Sequence, residues 1–552
     1  MRGQVSLFWR CGESGELLLR GGALVQGLPL GICHAVNDFA GIWIGDGNAL
    51  IGGGLAIPAA EAIAAETGEI HQIDILGVGA FAQVLHQAAK GGGFELFGGG
   101  GIERGGRHSI FFLGGWPCRF RGHSLRMVGA VTAQAGWAMD EARCRAILTE
   151  LFTAAVASAD PARVLAGFLP PEKPRGRCVV VGAGKAAASM AAAVDAAWGD
   201  VDLSGVVVTR YGHEMPAGRI EVISARHPVP DENSVKAARR ILASVAGLGA
   251  DDLVIVLISG GGSALMALPA AGISLAEKQG ITAGLLASGA AIDEINRVRN
   301  RLSCVKGGRL LAACGSARVV TLAISDVPGD APSLIASGPT VFDDTSADTV
   351  LEILGRYRIE VSATVRAAIL ANEPPALVGD RGEFKLIATP SMALAAAAAR
   401  ARELGISPVI LGDAIEGEAW EAGRAMAIQA LQIDRPSVLL AGGETSVTLG
   451  DGAFGRGGRN CEFLLSSLVS LQGAAGIYGI ACDTDGIDGS EDAAGALITP
   501  GSLKRACAVG VDAAEYLARH DSYGFFSAVG DLVITGPTLT NVNDFRAFLV
   551  VE

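Results

Sequence analysis

The sequence predicts an α/β protein built from two sheet-bearing domains with a ligand cleft between them. Three observations carry this expectation. Short apolar runs recur along the chain with helix-length segments between them, the pattern of a mostly parallel sheet covered by helices on both faces. Several runs end in glycine-rich or acidic turns, and the carboxyl ends of strands are where open α/β sheets bind ligands. The composition agrees: half of the 552 residues are hydrophobic, 18% are charged and 77 are glycine. That mixture suits many strand-to-helix turns and gives ample core for two or three domains.

Residues 1–138 stand apart. They hold four of the six tryptophans (Trp9, Trp43, Trp116, Trp137) and five of the eight histidines. Glycine clusters at 52–54, 91–93 and 98–101 break any sustained hydrophobic period, so no element order is expected there. Met139-Asp140-Glu141 then opens an amphipathic helix with Asp140 as its N-cap. The expectation is an atypical glycine-rich extension, disordered or translated from upstream of a start near Met139. A small extra domain is the alternative.

From Arg177 the pattern becomes regular. Cys178–Val181 reads as a buried strand followed by Gly182-Ala183-Gly184-Lys185 and an Ala-rich helix. Gly205–Val208 is the next strand. Leu253–Ile258 ends in Ser259-Gly260-Gly261-Gly262-Ser263, and Val319–Ile324 ends in Ser325-Asp326-Val327-Pro328-Gly329-Asp330. A second set comprises Lys385–Ala388, Ser407–Leu411, Ser437–Leu440 and Ile477–Cys482. The turn-rich Ala371-Asn372-Glu373-Pro374-Pro375 marks the boundary, giving domains 139–375 and 376–552.

Several function classes fall away at this point. A formal net charge of −13, with no basic cluster, argues against a duplex nucleic-acid binder. No apolar run reaches the roughly 20 residues that span a bilayer. The ten cysteines include no C-x-x-C pair and sit in apolar runs, as reduced, packed thiols do. With no recognisable targeting segment, the expectation is a soluble cytoplasmic protein.

The glycine loops carry the chemistry. Gly182-x-Gly184-x-x-Ala187 after a strand fits a relaxed dinucleotide fingerprint. Its usual companion, an acidic residue ending the second strand, is replaced by Thr209-Arg210. Lys185 adds a cation where a helix N-terminus already favours an anion, although a plain tight turn explains the same residues. The Ser259–Ser263 loop, with Gly260, Gly261 and Gly262 between two hydroxyls, is either a nest of N–H donors for phosphate or carboxylate, or a site of close packing. Asp326 and Asp330, and likewise Asp483, Asp485 and Asp488, place carboxylates at strand ends as Mg²⁺ ligands or bases, with turn-capping as the alternative. Gly442-Gly443-Glu444-Thr445 and Gly457-Gly458-Arg459-Asn460-Cys461-Glu462 add an arginine fork suited to the oxygens of phosphate or carboxylate. No Ser-His-Asp arrangement stands out.

These blocks together resemble the type-2 glycerate kinase family. They are joined by Ser224-Ala-Arg-His227-Pro228, Lys306-Gly-Gly-Arg309, Ser337-Gly-Pro-Thr340, Thr535-Gly-Pro-Thr538 and Asn541-Val-Asn543-Asp544. The resemblance runs from about Met139 to Glu552, and the part after 375 looks like the family's MOFRL domain. It implies a Rossmann-like doubly wound domain plus a smaller α/β domain, and transfer of phosphate from ATP to D-glycerate to give 2-phosphoglycerate. It also implies Lys185 and Arg459 as catalytic residues. Gly182, Gly184, Ser259, Gly260, Gly261, Gly262, Ser263, Glu444 and Asn460 are the expected substrate- and phosphate-binding residues, and Asp326 and Asp485 the expected Mg²⁺ ligands. The expected partners are small molecules, with a homodimer as the candidate assembly and neither nucleic acid nor membrane. Cys461 departs from the glutamine common in the family at that place. Family members are also labelled hydroxypyruvate reductase, so an NAD(P)H-dependent reductase is one alternative and a non-catalytic anion binder another.

Overall fold

In a computed structural model of the chain, residues 139–376, 382–450 and 454–552 are described in full. Before them only backbone strand segments are described, such as Gln4–Cys11, Ile70–Leu76 and His123–Val128. The expectations for 1–138 therefore fall largely outside the described residues. Met1–Ala138 and Met139–Glu552 form separate compact units.

The second unit is built on two six-stranded sheets. The first comprises β1 (Cys178–Ala183), β2 (Leu203–Arg210), β3 (Ile220–Ala225), β4 (Leu253–Ile258), β5 (Arg318–Ile324) and β6 (Gly382–Ala388). Its order is β3-β2-β1-β4-β5-β6 with every pair parallel. This is the doubly wound order, which opens a crevice at the carboxyl ends of the central strands. Both β1 and β4 are buried along their whole length. That is why they read as unbroken Val/Leu/Ile runs and not as an alternation.

The second sheet holds β7 (Ser407–Ile415), β8 (Ser437–Gly443), β9 (Ile477–Asp483), β10 (Gly495–Ile498), β11 (Leu532–Val533) and β12 (Asp544–Val550). Its order is β7-β8-β12-β9-β10-β11, and only β7 and β8 run parallel. Two expectations are corrected here. Lys385–Ala388, assigned by sequence to the second domain, belongs to β6 and completes the first sheet by pairing with β5. The second sheet is mostly antiparallel because β12 inserts between β8 and β9.

Among the helices, α1 (Glu141–Ser158) starts at Asp140 as expected, with the Asp140 carboxylate accepting from the Arg143 N–H at 2.7 Å. Such a cap contributes about 1 kcal/mol. Its buried stripe of Cys144, Ile147, Leu148, Leu151, Phe152 and Ala155 follows helical spacing. These residues belong to a core that also takes side chains from β1, β4, β8 and β12, so both sheets share one apolar interior. Phe152 meets Phe545 of β12 with ring centroids 5.8 Å apart. Burying each such side chain contributes about 1.5–3 kcal/mol. No described helix is long and apolar enough to cross a membrane.

Candidate active site

The ends of β1, β2 and β3 in one sheet and of β8 and β9 in the other open on a cleft of about 650 Å³. β1 passes through the Gly182–Lys185 turn into α2 (Ala187–Ala197) and delivers Lys185 to the wall, while β2 delivers Arg210. The antiparallel β12 begins where β8 and β9 end, so Asp544 lies in register with Gly443 on one side and Asp483 on the other. That register gathers Glu444, Asp483 and Asp544 around one point.

Arg459 fills that point. It is the first residue of α3 (Arg459–Leu471). Its Nε donates to Asp544 at 2.9 Å, Nη1 to Glu444 at 2.6 Å and Nη2 to Asp483 at 3.0 Å. Asp488 fixes the helix start: its two oxygens accept the N–H groups of Asn460 at 3.0 Å and Cys461 at 2.9 Å. Gly458 permits this approach, since a Cβ there would lie 2.3 Å from the Asp488 carboxyl. Lys185 reaches the same place from the other sheet. Its Nζ donates to Asp485 at 2.6 Å, and the Asp485 N–H donates to Asp483 at 2.9 Å. One turn, Asp483-Thr484-Asp485, thus holds a cation from each sheet.

The chain is similar to known proteins. Residues 147–370 match the family described as "Domain of unknown function (DUF4147)", and residues 437–544 match the "MOFRL family". A D-glycerate 2-kinase of Thermotoga maritima is 42% identical over 384 residues, spanning 68% of this chain and 91% of that protein. The chain belongs to the type-2 glycerate kinase family. A crystal structure of a Thermotoga maritima glycerate kinase superposes with a TM-score of 0.68 at 39% identity, over 74% of this chain and 99% of that one. A protein of Agrobacterium vitis named "Putative hydroxypyruvate reductase" is 57% identical over 419 residues, 74% of this chain and 95% of its own length. The two-domain α/β fold inferred from the family resemblance is the fold observed.

The electrostatics of Lys185 and Arg459 follow from their partners. Burial pulls the Lys185 ammonium down, but Asp485 and Asp483 outweigh it and hold its pKa above the ordinary value. Burial likewise lowers Arg459, and Asp544, Asp483 and Glu444 outweigh it and hold its pKa above the ordinary value. Burial next to Asp485 lifts Asp483 well above the usual carboxylate range, whereas Asp485 is held low, Lys185 overcoming its burial. Burial raises Asp326 to about 6. His227, on the first-sheet wall, is pushed down to about 4 by burial and by Lys185 and Arg210 nearby, and is neutral at pH 7.

Not every expected residue faces the cleft. The Gly184, Lys185 and Ala186 N–H groups, expected to be free for an anion, donate to Val208 O (3.1 Å), Gly260 O (2.8 Å) and Ser259 Oγ (3.0 Å). Gly182 and Gly184 serve close packing: a Cβ would lie 2.1 Å from Leu257 O at the first and 2.0 Å from Ser259 Oγ at the second. Ser259 therefore secures the Lys185 turn. Ser263 bonds Ser337 at 2.9 Å, which in turn donates to Asn296. The N–H groups of Gly260 and Gly261 make no hydrogen bond among the described residues, and Gly262 donates to Ser259 O. Asn460 is buried and acts through Asp544, donating to it at 2.7 Å. Cys461 is buried behind the cleft, its thiol pKa raised by burial. Asp326 accepts from Asn541 at 3.0 Å, bridging the two sheets.

Arg210, His227 and Asp544 were not singled out from sequence as site residues. A signal existed for each: Arg210 stands where a dinucleotide fold carries an acid, and His227 and Asp544 lie in family blocks.

Proposed function

We propose that this protein transfers the γ-phosphoryl group of ATP to the 2-hydroxyl of D-glycerate, giving 2-phosphoglycerate. The Asp483–Asp485 turn carries the reading, because it presents Lys185 and Arg459 to one cleft from two separate sheets. Phosphoryl transfer asks a protein for positioning and charge neutralisation more than for covalent chemistry. Lys185 and Arg459 neutralise charge on the oxygens of the transferring group. Asp483 lines the cleft with one oxygen on the Asp485 N–H and the other on Arg459, so it serves the reaction by holding that arginine in place.

The cleft also argues for Mg²⁺. Its wall carries four cations (Lys185, Arg210, Arg456, Arg459) against five carboxylates (Glu444, Glu462, Asp483, Asp485, Glu491), so a polyanionic nucleotide needs added positive charge. The donors on offer are hard oxygens. No group of three His, Cys, Asp or Glu side chains among the described residues could hold an ion alone, so phosphate oxygens and water complete the shell, as is usual for Mg²⁺. The candidate ligands are Asp485, which lines the cleft but whose two oxygens already accept from Lys185 and the Ile487 N–H, and Asp326, which lies off the cleft wall but close enough to Lys185, Glu444 and Arg459 to feel their charge. Bound there, the ion supplies charge stabilisation to the phosphate oxygens.

The doubly wound sheet and the name of the Agrobacterium vitis relative favour a second reading, an NAD(P)H-dependent hydroxypyruvate reductase. Against it stand Arg210 at the end of β2, although an arginine there is compatible with NADP, and a β1 turn whose N–H groups are consumed internally. Phosphorus NMR of the protein with Mg-ATP and D-glycerate tests the proposal. A 2-phosphoglycerate signal is expected. A 3-phosphoglycerate signal overturns the regiochemistry, and NADH or NADPH oxidation with hydroxypyruvate, without transfer, selects the reductase.

A further inference from the structure

Of the four cations on the cleft wall, three are committed. Lys185 is held by Asp485, Arg459 by three carboxylates, and Arg456 by Glu491. Arg210 has no carboxylate and no hydrogen-bond acceptor on its guanidinium among the described residues. Two nearby acids are engaged elsewhere: Glu214, four residues on, accepts from the Gly212 N–H at 2.8 Å, and Asp231 accepts from the adjacent Tyr211 and caps its own helix. The β2–β3 register sets Arg210 opposite Ala225 at the carboxyl edge of the sheet, two residues before His227 on the same wall. An arginine left unpaired in a cleft that otherwise neutralises each of its cations is a site for a ligand's anion. Its planar fork matches a carboxylate with two parallel hydrogen bonds.

We infer that Arg210 is the specificity-determining anchor for the carboxylate of the acceptor substrate, leaving the carboxylate-held Lys185 and Arg459 to face the phosphoryl group. Neutral His227 flanks that carboxylate without adding charge. The assignment rests on the glycerate kinase reading and gives it a division of labour: one cation selects the acid, and two handle the phosphate.

The test compares wild type, Arg210→Gln and Arg210→Lys with D-glycerate and with glycerol, which lacks the carboxylate. Arg210→Gln should raise the KM for D-glycerate roughly 10- to 100-fold, the worth of a charged hydrogen-bonded pair, with the KM for Mg-ATP unchanged. The preference for D-glycerate over glycerol should fall by the same factor, and Arg210→Lys should recover part of it. A merely structural role would move both acceptors together. An active wild type with an unchanged glycerate KM in Arg210→Gln overturns the inference. A KM change confined to Mg-ATP also overturns it, by placing the arginine on the nucleotide. Failure of wild type to phosphorylate D-glycerate overturns the function itself, and equilibrium binding of D-glycerate to wild type and Arg210→Gln then still reads whether Arg210 holds a carboxylate.

Discussion

Lys185→Met separates the two jobs of this lysine, binding its partner and serving the reaction. Met keeps most of the aliphatic stem and removes the charge. Lys185 is 12% exposed and Asp485 2%, so the pair is shielded from solvent. Removing one partner of such a pair leaves an uncompensated carboxylate and costs about 3–5 kcal/mol. The lower end is expected, since Asp485 keeps the Ile487 N–H at 2.9 Å and can take up a proton. The double variant Lys185→Met/Asp485→Asn removes the orphaned charge and retains an acceptor for that N–H, so it should recover stability to within about 1 kcal/mol of wild type. Turnover should behave differently. Loss of a cation at the transferring phosphoryl group lowers kcat roughly 10²- to 10³-fold, and the second substitution restores none of it. Urea denaturation reads stability without adding salt, which would screen the pair, and phosphorus NMR reads turnover. A Lys185→Met protein within tenfold of wild-type kcat would exclude Lys185 from the transition state. A double variant as unstable as the single one would refute the ion-pair account of stability.

Three further outcomes follow from the same geometry. Gly184→Ala sets a Cβ 2.0 Å from Ser259 Oγ on a residue with φ of +146°, so it should cost about 2–3 kcal/mol and lower kcat by misplacing Lys185; a urea midpoint within error of wild type would refute the stitching of the two loops. Asp488→Ala uncaps α3 and should cost about 1–2 kcal/mol while weakening turnover through Arg459, with Asp488→Asn intermediate in both assays. Asp326 takes its proton near pH 6 when folded and near 4 when unfolded, so between those values the folded state holds more protons, and this group's contribution to stability rises as pH falls. Asp326→Asn should accordingly gain stability relative to wild type at pH 7.5 and lose that advantage at pH 4.5; a pH-independent difference between their urea midpoints would count against the buried carboxylate.

What was legible in the sequence was what burial writes locally. Leu253–Ile258 and Cys178–Val181 announced themselves because strands covered on both faces exclude polar residues. Lys185 and Arg459 were visible because glycines frame both. Sheet partnership was not visible: the Lys385–Ala388 run looks the same whichever sheet it joins, and only pairing with β5 decides it. β12 escaped because Arg546 interrupts its apolar run, and nothing in the sequence says that Asp544 and Thr445 will bond that guanidinium in the core, over the ring of Phe463. The turn before this helix was not legible either, because its Lys185 and Ala186 N–H groups go to Gly260 and Ser259, some 75 residues away, long-range bonds that no local pattern encodes. Arg210 was seen only as the lack of an acid. Its significance depends on which carboxylates the fold spends elsewhere.

The insertion of β12 between β8 and β9 has a consequence for biogenesis. As the chain leaves the ribosome, β8 and β9 are complete before the strand that joins them exists, so each shows a naked edge and Arg459 lacks Asp544. The nascent second domain must wait, half-paired and prone to stray strand contacts, until β12 arrives to close the gap. Closing it also brings in the carboxylate that Arg459 requires. Completion of the sheet and pairing of Arg459 with Asp544 are one event, and a chain cut short before Asp544 would have neither.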